Sequence, residues 1–476
     1  MKIFKLFISE NIKTWKKFST KVLLVIVLLS IMAVLGITKL MQKLDNNVTY
    51  TREVANYNEE NLKSQIEYLK SELENDSLDE VSKQNIQKQI EQYQLCLDYN
   101  IDGYGSTWRN DIVEQIVDAK MIDDTEKAEK LIKLLKEDNF NEYIEIQRQS
   151  LKESLKSKSI TEQEYNDEIL VLDLKEKYEI GKDEQENTWK NYAIIEIETN
   201  QKSLRTGINQ QTRKVLKAEE KQELEDAIKI DIYRLENNIP TAEQGSDNNY
   251  RMRYEMMAPT FVVAVISIIA IIIAGGAIST ETSEGTIKFW ALTPNKRWKI
   301  LTAKILSLIF YILIITLISS LLSIIVANVF FNGDGETYLY VQNGQVKEIG
   351  NALYTIEYYM VKTIPVIMFA LFALMLSVIT RNTAVSVSIG IALYMGNGIF
   401  MTIINSFVTK DWVRYIPFNN LNLVDKVFPN AGKLIDTGVS NFATTSSLGF
   451  SMTVLGVCAI LMLVTMYDSF NKRDII

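Results

Sequence analysis

The sequence predicts an all-α membrane protein with six transmembrane helices and a large helical domain between the first two. Three observations predict it: long apolar stretches, a change of charge after the first stretch, and helical spacing of apolar residues beyond that change. About 20 mostly apolar residues cross a bilayer as a helix. We expect transmembrane helices at 22–41, 258–280, 305–331, 358–380, 383–408 and 444–467.

The distribution of lysine and arginine predicts how these helices are oriented. Residues 1–21 carry six lysines and a single acidic residue, the tail 468–476 contains Lys472 and Arg473, and the loop 281–304 has five basic residues against two acidic ones. Short cytoplasmic loops are enriched in Lys and Arg. Both termini and this loop are therefore expected in the cytoplasm, and residues 42–257 outside.

The N-terminal segment 1–21 has its own pattern. Apolar residues recur at near-helical spacing, with lysines between them: Ile3, Phe4, Phe7, Ile8, Ile12 and Trp15. Such a helix is suited to the membrane surface, and we expect an interfacial helix on the cytoplasmic side. The stretch that follows could be a secretory signal, but no small-residue cleavage site follows Ile37, so a retained anchor is favoured.

The segment 42–257 differs in composition from the rest of the chain. It has 47 acidic and 30 basic residues, a net charge of −17 in a chain whose total is −8. Its apolar residues lie three and four apart, as in Leu62, Ile66, Leu69 and Leu73. This spacing places them on one helix face that must be buried. The segment is expected to form antiparallel helical hairpins or a coiled coil.

This segment also contains an internal repeat. Residues 69–73 resemble 151–155, and the pair Thr107-Trp108 recurs as Thr188-Trp189. The copies cover about 62–140 and 144–217, with a partial third copy at 218–257. Each Thr is a candidate helix N-cap. Each Trp could anchor a ligand, but packing within its own hairpin is the favoured interpretation.

The loop 281–304 contains the most informative motif. It has acidic residues, a Gly-Thr pair, apolar and aromatic residues, a proline and then basic residues, in the order Glu281, Glu284, Gly285, Thr286, Phe289, Trp290, Leu292, Pro294, Arg297 and Lys304. This order resembles the loop between the second and third transmembrane helices in permease subunits of type 2 ABC exporters, the ABC-2 family. The resemblance covers roughly the last 220 residues and the first 40. The alternative is an ordinary basic loop whose Pro and Gly end helices.

The resemblance implies a function and a set of partners. The loop would form a coupling helix bound by an ABC ATPase subunit, and residues 1–21 would form the elbow helix of the family. Two ATPase subunits would bind the ATP and Mg, and a second permease subunit would complete a homo- or heterodimer. The cargo would be apolar or amphipathic, such as a peptide, drug or lipid, and the location a bacterial plasma membrane.

Composition excludes several other functions. The chain has no histidine, which excludes His-dependent catalysis and His-ligated zinc. Of its two cysteines, Cys96 is expected outside the cell and Cys458 within the last transmembrane helix, so the two are not expected to form a disulfide or a shared metal site. No phosphate-binding GxxxxGK[ST] motif occurs. We expect no enzymatic activity, cofactor, metal or nucleic-acid partner for this chain alone.

Two further loops are expected outside. In 332–357, Asn343-Gly344 separates two alternating stretches, which predicts a β-hairpin. Residues 409–443 mix aromatic and polar residues, which is typical of the membrane interface. Similarity to the ABC-2 family implies a re-entrant segment there.

A second hypothesis comes from another class of protein. The acidic helical segment could bind an extracellular peptide or protein, and the six helices would then anchor an interaction or sensor protein that does not transport. Both hypotheses include membrane lipid as a partner.

Overall fold

The computed structural model describes residues 2–47, 54–73, 79–103, 105, 107–182, 188–210, 213–216, 218–241, 247–286, 296–332, 337–407, 411–428 and 446–472. The chain divides into two compact units. The membrane unit comprises Met1–Asn46, Gln244–Tyr340 and Lys347–Ile476, and the helical unit comprises Asn47–Glu243 with Val341–Val346.

Helices dominate both units. In chain order they are α1 (Lys2–Lys16), α2 (Phe18–Asn47), α3 (Val54–Leu73), α4 (Glu80–Asp98), α5 (Trp108–Met121), α6 (Thr125–Glu137), α7 (Phe140–Lys156), α8 (Glu162–Lys177), α9 (Thr188–Thr206), α10 (Ala218–Asn237), α11 (Asp247–Gly276), α12 (Ser279–Ser283), α13 (Arg297–Phe330), α14 (Asn351–Thr380), α15 (Thr383–Phe407), α16 (Val424–Val427) and α17 (Leu448–Lys472). Strands β1 (Tyr338–Gln342) and β2 (Gln345–Ile349) pair between α13 and α14.

Six helical segments of the described residues are long and apolar enough to cross a membrane: α2, α11 together with α12, α13, α14, α15 and α17. This confirms the predicted number. The helices extend beyond the apolar stretches, so residues 351–357, assigned to a loop from the sequence, form the first turns of α14. Hydropathy locates the apolar part of a helix, whereas backbone hydrogen bonding continues into the polar residues that flank it.

Small residues allow α11 and α15 to approach closely. A Cβ atom on Gly275 would lie 2.7 Å from Cγ2 of Val387, and one on Gly390 would lie 2.7 Å from Cγ2 of Ile271. Glycine at such positions lets membrane helices pack with their backbones near each other. These two glycines therefore serve helix packing.

Polar contacts identify the two ends of the membrane unit. At one end, Nη1 of Arg297 donates to the backbone oxygen of Asn471 at 3.4 Å, and the hydroxyls of Thr302 and Tyr467 are 2.7 Å apart. At the other end, Arg251 donates to Asn328 at 2.9 Å. The start of α13 and the end of α17 thus lie together, at the end of the bundle opposite Arg251.

The β-hairpin forms where the sequence predicts it. Asn343 and Gly344 join β1 to β2, with φ values of 55° and 78°. Left-handed backbone at both central residues is the pattern of a type I′ turn, which matches the twist of the strands. The prediction of a hairpin at Asn343-Gly344 is confirmed.

The segment after α15 contains two short 3₁₀ helices, Asp411–Tyr415 and Pro417–Asn420, and α16. The amide of Asn420 donates to the backbone oxygens of Arg414 at 2.7 Å and Ile416 at 3.0 Å, which folds the two 3₁₀ helices against each other. Residues 409–410 and 429–443 of the expected re-entrant segment lie outside the described residues.

The helical unit has two apolar cores. Trp108 contributes to the core formed with α3 to α7, and Trp189 to the core formed by α8, α9 and α10. Both indoles are buried, with 2% and 8% of their surface exposed. This burial supports packing and leaves little surface for a ligand.

The two threonines before these tryptophans differ in position. Thr107 precedes α5, as an N-cap should, but its hydroxyl donates to Oδ1 of Asn110 at 2.7 Å, and the same oxygen accepts the Thr107 backbone N–H at 3.1 Å. Thr188 is the first residue of α9, and its side chain lies outside the description.

Candidate functional site

Helix α1 lies against the start of the third membrane helix, α13. Phe7 contacts Phe310 edge to face with ring centroids 5.4 Å apart, and Trp15 contacts Tyr311 at 5.2 Å. Asn11, between them on the same helix face, is buried and donates to the backbone oxygen of Phe7 at 2.9 Å. One face of α1 is thereby fixed on α13.

A break in the second membrane helix positions the residues that follow it. Helix α11 ends at Gly276 and α12 begins at Ser279. The Oγ of Ser377 on α14 accepts the backbone N–H groups of Ile278 at 3.3 Å and Ser279 at 3.0 Å. Buried backbone amides at a helix break need such partners. This contact fixes the direction of α12, the helix that carries Glu281.

Four charged side chains meet beside α12, and we refer to them as the ion cluster: Glu10, Lys13, Glu281 and Lys304. The Nζ of Lys304 lies 2.9 Å from Oε1 of Glu281 and 2.9 Å from Oε2 of Glu10. Lys13 also pairs with Oε1 of Glu281. The cluster contains two positive and two negative groups, so it is formally neutral.

The centre of this cluster is shielded from solvent. Only 5% of the Lys304 side chain and 7% of the Glu281 side chain are exposed, against 47% for Lys13. Burial opposes the charged form of Lys13, but its hydrogen bond to Glu281 and the nearby charges of Glu281, Glu10 and Glu284 raise its pKa. Charges buried in this way depend on their partners, because removing one leaves another uncompensated.

Glu281 has further hydrogen-bonding capacity. Its second carboxylate oxygen, Oε2, is buried and has no hydrogen-bond partner among the residues that the structure describes. Its backbone oxygen accepts from the hydroxyl of Thr286 at 3.2 Å. The residues 287–295 next to it in the chain lie outside the description.

The structure brings together only part of the motif predicted from the sequence. Glu281 and Lys304 are joined in the ion cluster, whereas Glu284 is exposed and follows α12 directly. Gly285 has φ +71°, a left-handed backbone that favours glycine. The four remaining members of the motif, Phe289, Trp290, Leu292 and Pro294, lie outside the described residues, and Arg297 begins α13 at the contact with Asn471.

Sequence reasoning missed two members of the cluster. The sequence pattern identifies Lys13 only as one of the basic residues of the terminus and assigns no role to Glu10. One signal was present: Glu10 is the single acidic residue in a helix of lysines, and its spacing to Lys13 places both on one face. Their partner could not be read from spacing.

The ion cluster joins three helices. Its members lie on α1, α12 and α13, so a displacement of the loop between α12 and α13 moves charges that also hold α1. Among the described residues, no group of three or more His, Cys, Asp or Glu could hold a metal ion.

The fold and this site define a multi-pass helical membrane protein. Residues 232–476, more than half of the chain, match the family described as "Protein of unknown function (DUF2705)", and the chain belongs to that family. The match includes the seven helices α11 to α17, which carry Glu281 and Lys304, and does not include α1.

Two curated relatives come from Bacillus subtilis (strain 168). The "Uncharacterized protein YhcI" is 29% identical over 257 residues, which are 52% of this chain and 76% of the relative. The "Uncharacterized membrane protein YdbK" is 23% identical over 235 residues, 48% of this chain and 85% of the relative. The second name agrees with a membrane location for this chain.

Proposed function

We propose that this protein is the transmembrane permease subunit of an ATP-driven exporter of the type 2 ABC class. The observation that carries the proposal is the ion cluster, which links both ends of the loop 281–304 to α1. A loop that receives force from a motor must be joined to the helices that it moves. The Gly-Thr, aromatic and Pro-Arg order of the loop supports the same function.

The proposed topology places this loop in the cytoplasm. The loop has five basic and two acidic residues, and the N-terminal 21 residues have six lysines, which favours the cytoplasmic side for both. The contact of Arg297 with Asn471 supports a common side for the loop and the C-terminal helix. Residues 42–257 would then lie outside, on the far side of α2 and α11.

The proposed mechanism assigns ATP hydrolysis to another polypeptide. A partner ATPase, holding ATP and Mg, would bind the loop around Glu284, Gly285 and the aromatic pair Phe289-Trp290. Closure of two such ATPase subunits would push the loop, and the ion cluster would pass the movement to α1, α12 and α13. A second permease subunit, identical or related, would complete the path for an apolar or amphipathic cargo.

The helical unit favours a second candidate function. It has two apolar cores of its own and belongs to a segment with a net charge of −17. Such a surface attracts cationic partners. The alternative is a membrane-anchored interaction or sensor protein that binds a peptide or protein outside and transports nothing.

Affinity purification from the native membrane tests the proposal. The tagged full-length chain is extracted in mild detergent, and copurifying chains and ATP hydrolysis are measured. We expect a stoichiometric ATPase that is lost in the variant Phe289→Ala/Trp290→Ala but kept in the matched control Trp298→Ala, an exposed residue of α13 that is not a member of the motif. Purification with an extracellular partner and without an ATPase would favour the second candidate.

A further inference from the structure

A cavity of about 320 Å³ lies within the membrane unit, between α14, α15, α17 and the 3₁₀ helix Pro417–Asn420. Its lining side chains are almost all apolar, and include Met368, Phe418, Leu455, Cys458 and Met462. An apolar cavity of about 150 Å³ stays dry and can hold a benzene molecule. A cavity about twice that size has room for a longer apolar group.

The cavity opens on the outside of the helix bundle. Leu461 lines it and is also 63% exposed on the outside of the bundle. The neighbours Val457, Ile460 and Val464 on α17 are exposed in the same way. An apolar chain can therefore enter the cavity from the lipid phase without crossing the packed core.

The length of the cavity corresponds to one leaflet of a bilayer. Its contacts on α17 extend from Leu455 to Thr465, ten residues that rise about 15 Å along a helix. The hydrocarbon core of a bilayer is about 30 Å thick, so one leaflet accounts for about half of it. The cavity thus has the dimension of a single acyl chain that lies along α17.

A positive charge lies beyond one end of the cavity. The guanidinium of Arg414 is 5.6 Å from the ring centre of Phe450 on α17 and 5.1 Å from that of Tyr415. Phe450 precedes Leu455 by five residues, which is about 8 Å along the helix axis. Arginine recognises phosphate through paired hydrogen bonds. A cation at this distance matches the headgroup of a lipid whose chain enters the cavity.

From this geometry we propose that the cavity binds one acyl chain of a membrane phospholipid whose phosphate contacts Arg414. The site lies within a single copy of this protein and does not depend on an ATPase partner. Helices α14, α15 and α17 would surround the acyl chain, and the two 3₁₀ helices would lie at the headgroup.

Native mass spectrometry of the full-length chain in detergent tests the site, with palmitoyl-oleoyl phosphatidylglycerol as the probe. We expect one bound phospholipid per chain. Cys458→Trp fills the cavity and should abolish lipid binding. Val457→Trp replaces the adjacent residue, which is exposed and does not line the cavity, and should leave lipid binding unchanged. Arg414→Ala should weaken binding about tenfold, which corresponds to about 1.4 kcal/mol, because the phosphate then loses a charge-assisted hydrogen bond.

A neutral lipid separates the two parts of the site. Diacylglycerol should bind the unmodified chain about as weakly as phosphatidylglycerol binds Arg414→Ala. If Cys458→Trp does not elute as a folded species, Met462→Phe replaces it as the test variant, because this substitution fills the same cavity with a smaller increase in side-chain volume. The proposal would be overturned if a folded cavity-filling variant retained the lipid, or if Val457→Trp lost as much binding as Cys458→Trp. Equal affinity of the unmodified chain for phosphatidylglycerol and diacylglycerol would also overturn it.

Discussion

Glu281 and Lys304 are 23 residues apart in the chain, and their side chains meet at 2.9 Å. They stand at the two ends of the loop that the sequence identifies as the coupling segment. Both are buried, and both also contact α1, through Lys13 and Glu10. The pair closes the base of the loop and fixes it to the N-terminal helix.

The first prediction concerns the cost of breaking this pair. Lys304→Met should destabilise the membrane unit by about 3–5 kcal/mol, because Glu281 then remains buried without its closest buried cation. The double variant Lys304→Met/Glu281→Gln should recover part of the loss, since it removes both charges. Thermal unfolding in detergent measures both. Additive losses in the double variant would contradict the ion pair.

The second prediction concerns the contact of α11 with α15. Gly390→Ala should destabilise the bundle by about 1–3 kcal/mol, because its Cβ atom would lie 2.7 Å from Ile271. Gly396→Ala, on the same helix, is the matched control, since a Cβ atom there meets nothing within 4 Å. The melting temperatures of the two variants should therefore differ. Equal melting temperatures would mean that the glycine is not needed for packing.

The third prediction concerns the tryptophans of the helical unit. Trp108→Ala should cost about 3–5 kcal/mol in local stability, because the indole is a large core side chain and is 2% exposed. Hydrogen exchange in α5 and α7 of the full-length chain should rise accordingly. Tyr192→Ala, on an exposed position of α9, serves as the control. Unchanged exchange in Trp108→Ala would favour a ligand-binding role over packing.

The fourth prediction concerns Cys96, which burial together with the charge of Asp102 gives a pKa of about 11. In the variant Cys458→Ser it is the remaining thiol of the chain. At pH 8 about one molecule in a thousand would carry the reactive thiolate. Thiol labelling should therefore be slow and should accelerate about tenfold for each pH unit up to 11.

The same thiol has a consequence for stability. Its pKa is higher in the folded chain than the ordinary value of about 8.5, so the folded state holds the proton between these pH values. Stability should consequently fall as pH rises through this range. Fast labelling at pH 8 under native conditions would show that Cys96 is not buried.

Local patterns explain what the sequence could predict. The six membrane helices follow from apolar stretches, and the hairpin follows from Asn343-Gly344, because each signal lies within one short segment. The packing of Trp108 and Trp189 was also expected from their repeated position. These features depend on neighbours in the chain.

The ion cluster depends on contacts between distant residues. Lys13 is 268 residues from Glu281, and Glu10 is 294 residues from Lys304. Spacing within a helix gives no information on such partners, so the role of α1 could not be derived from the sequence. The cavity beside α17 was missed for the same reason, because four separate elements form it.

Site-specific photo-crosslinking tests the central claim most directly. A photoreactive amino acid replaces the exposed Glu284 in one variant and the exposed Glu348 in another, and cells are irradiated before purification. These positions lie beyond opposite ends of α13, which at 34 residues is about 50 Å long. The account predicts a cross-link from position 284 to a separate ATP-binding chain and none from position 348. A cross-link to such a chain from position 348, or its absence at position 284, would contradict it.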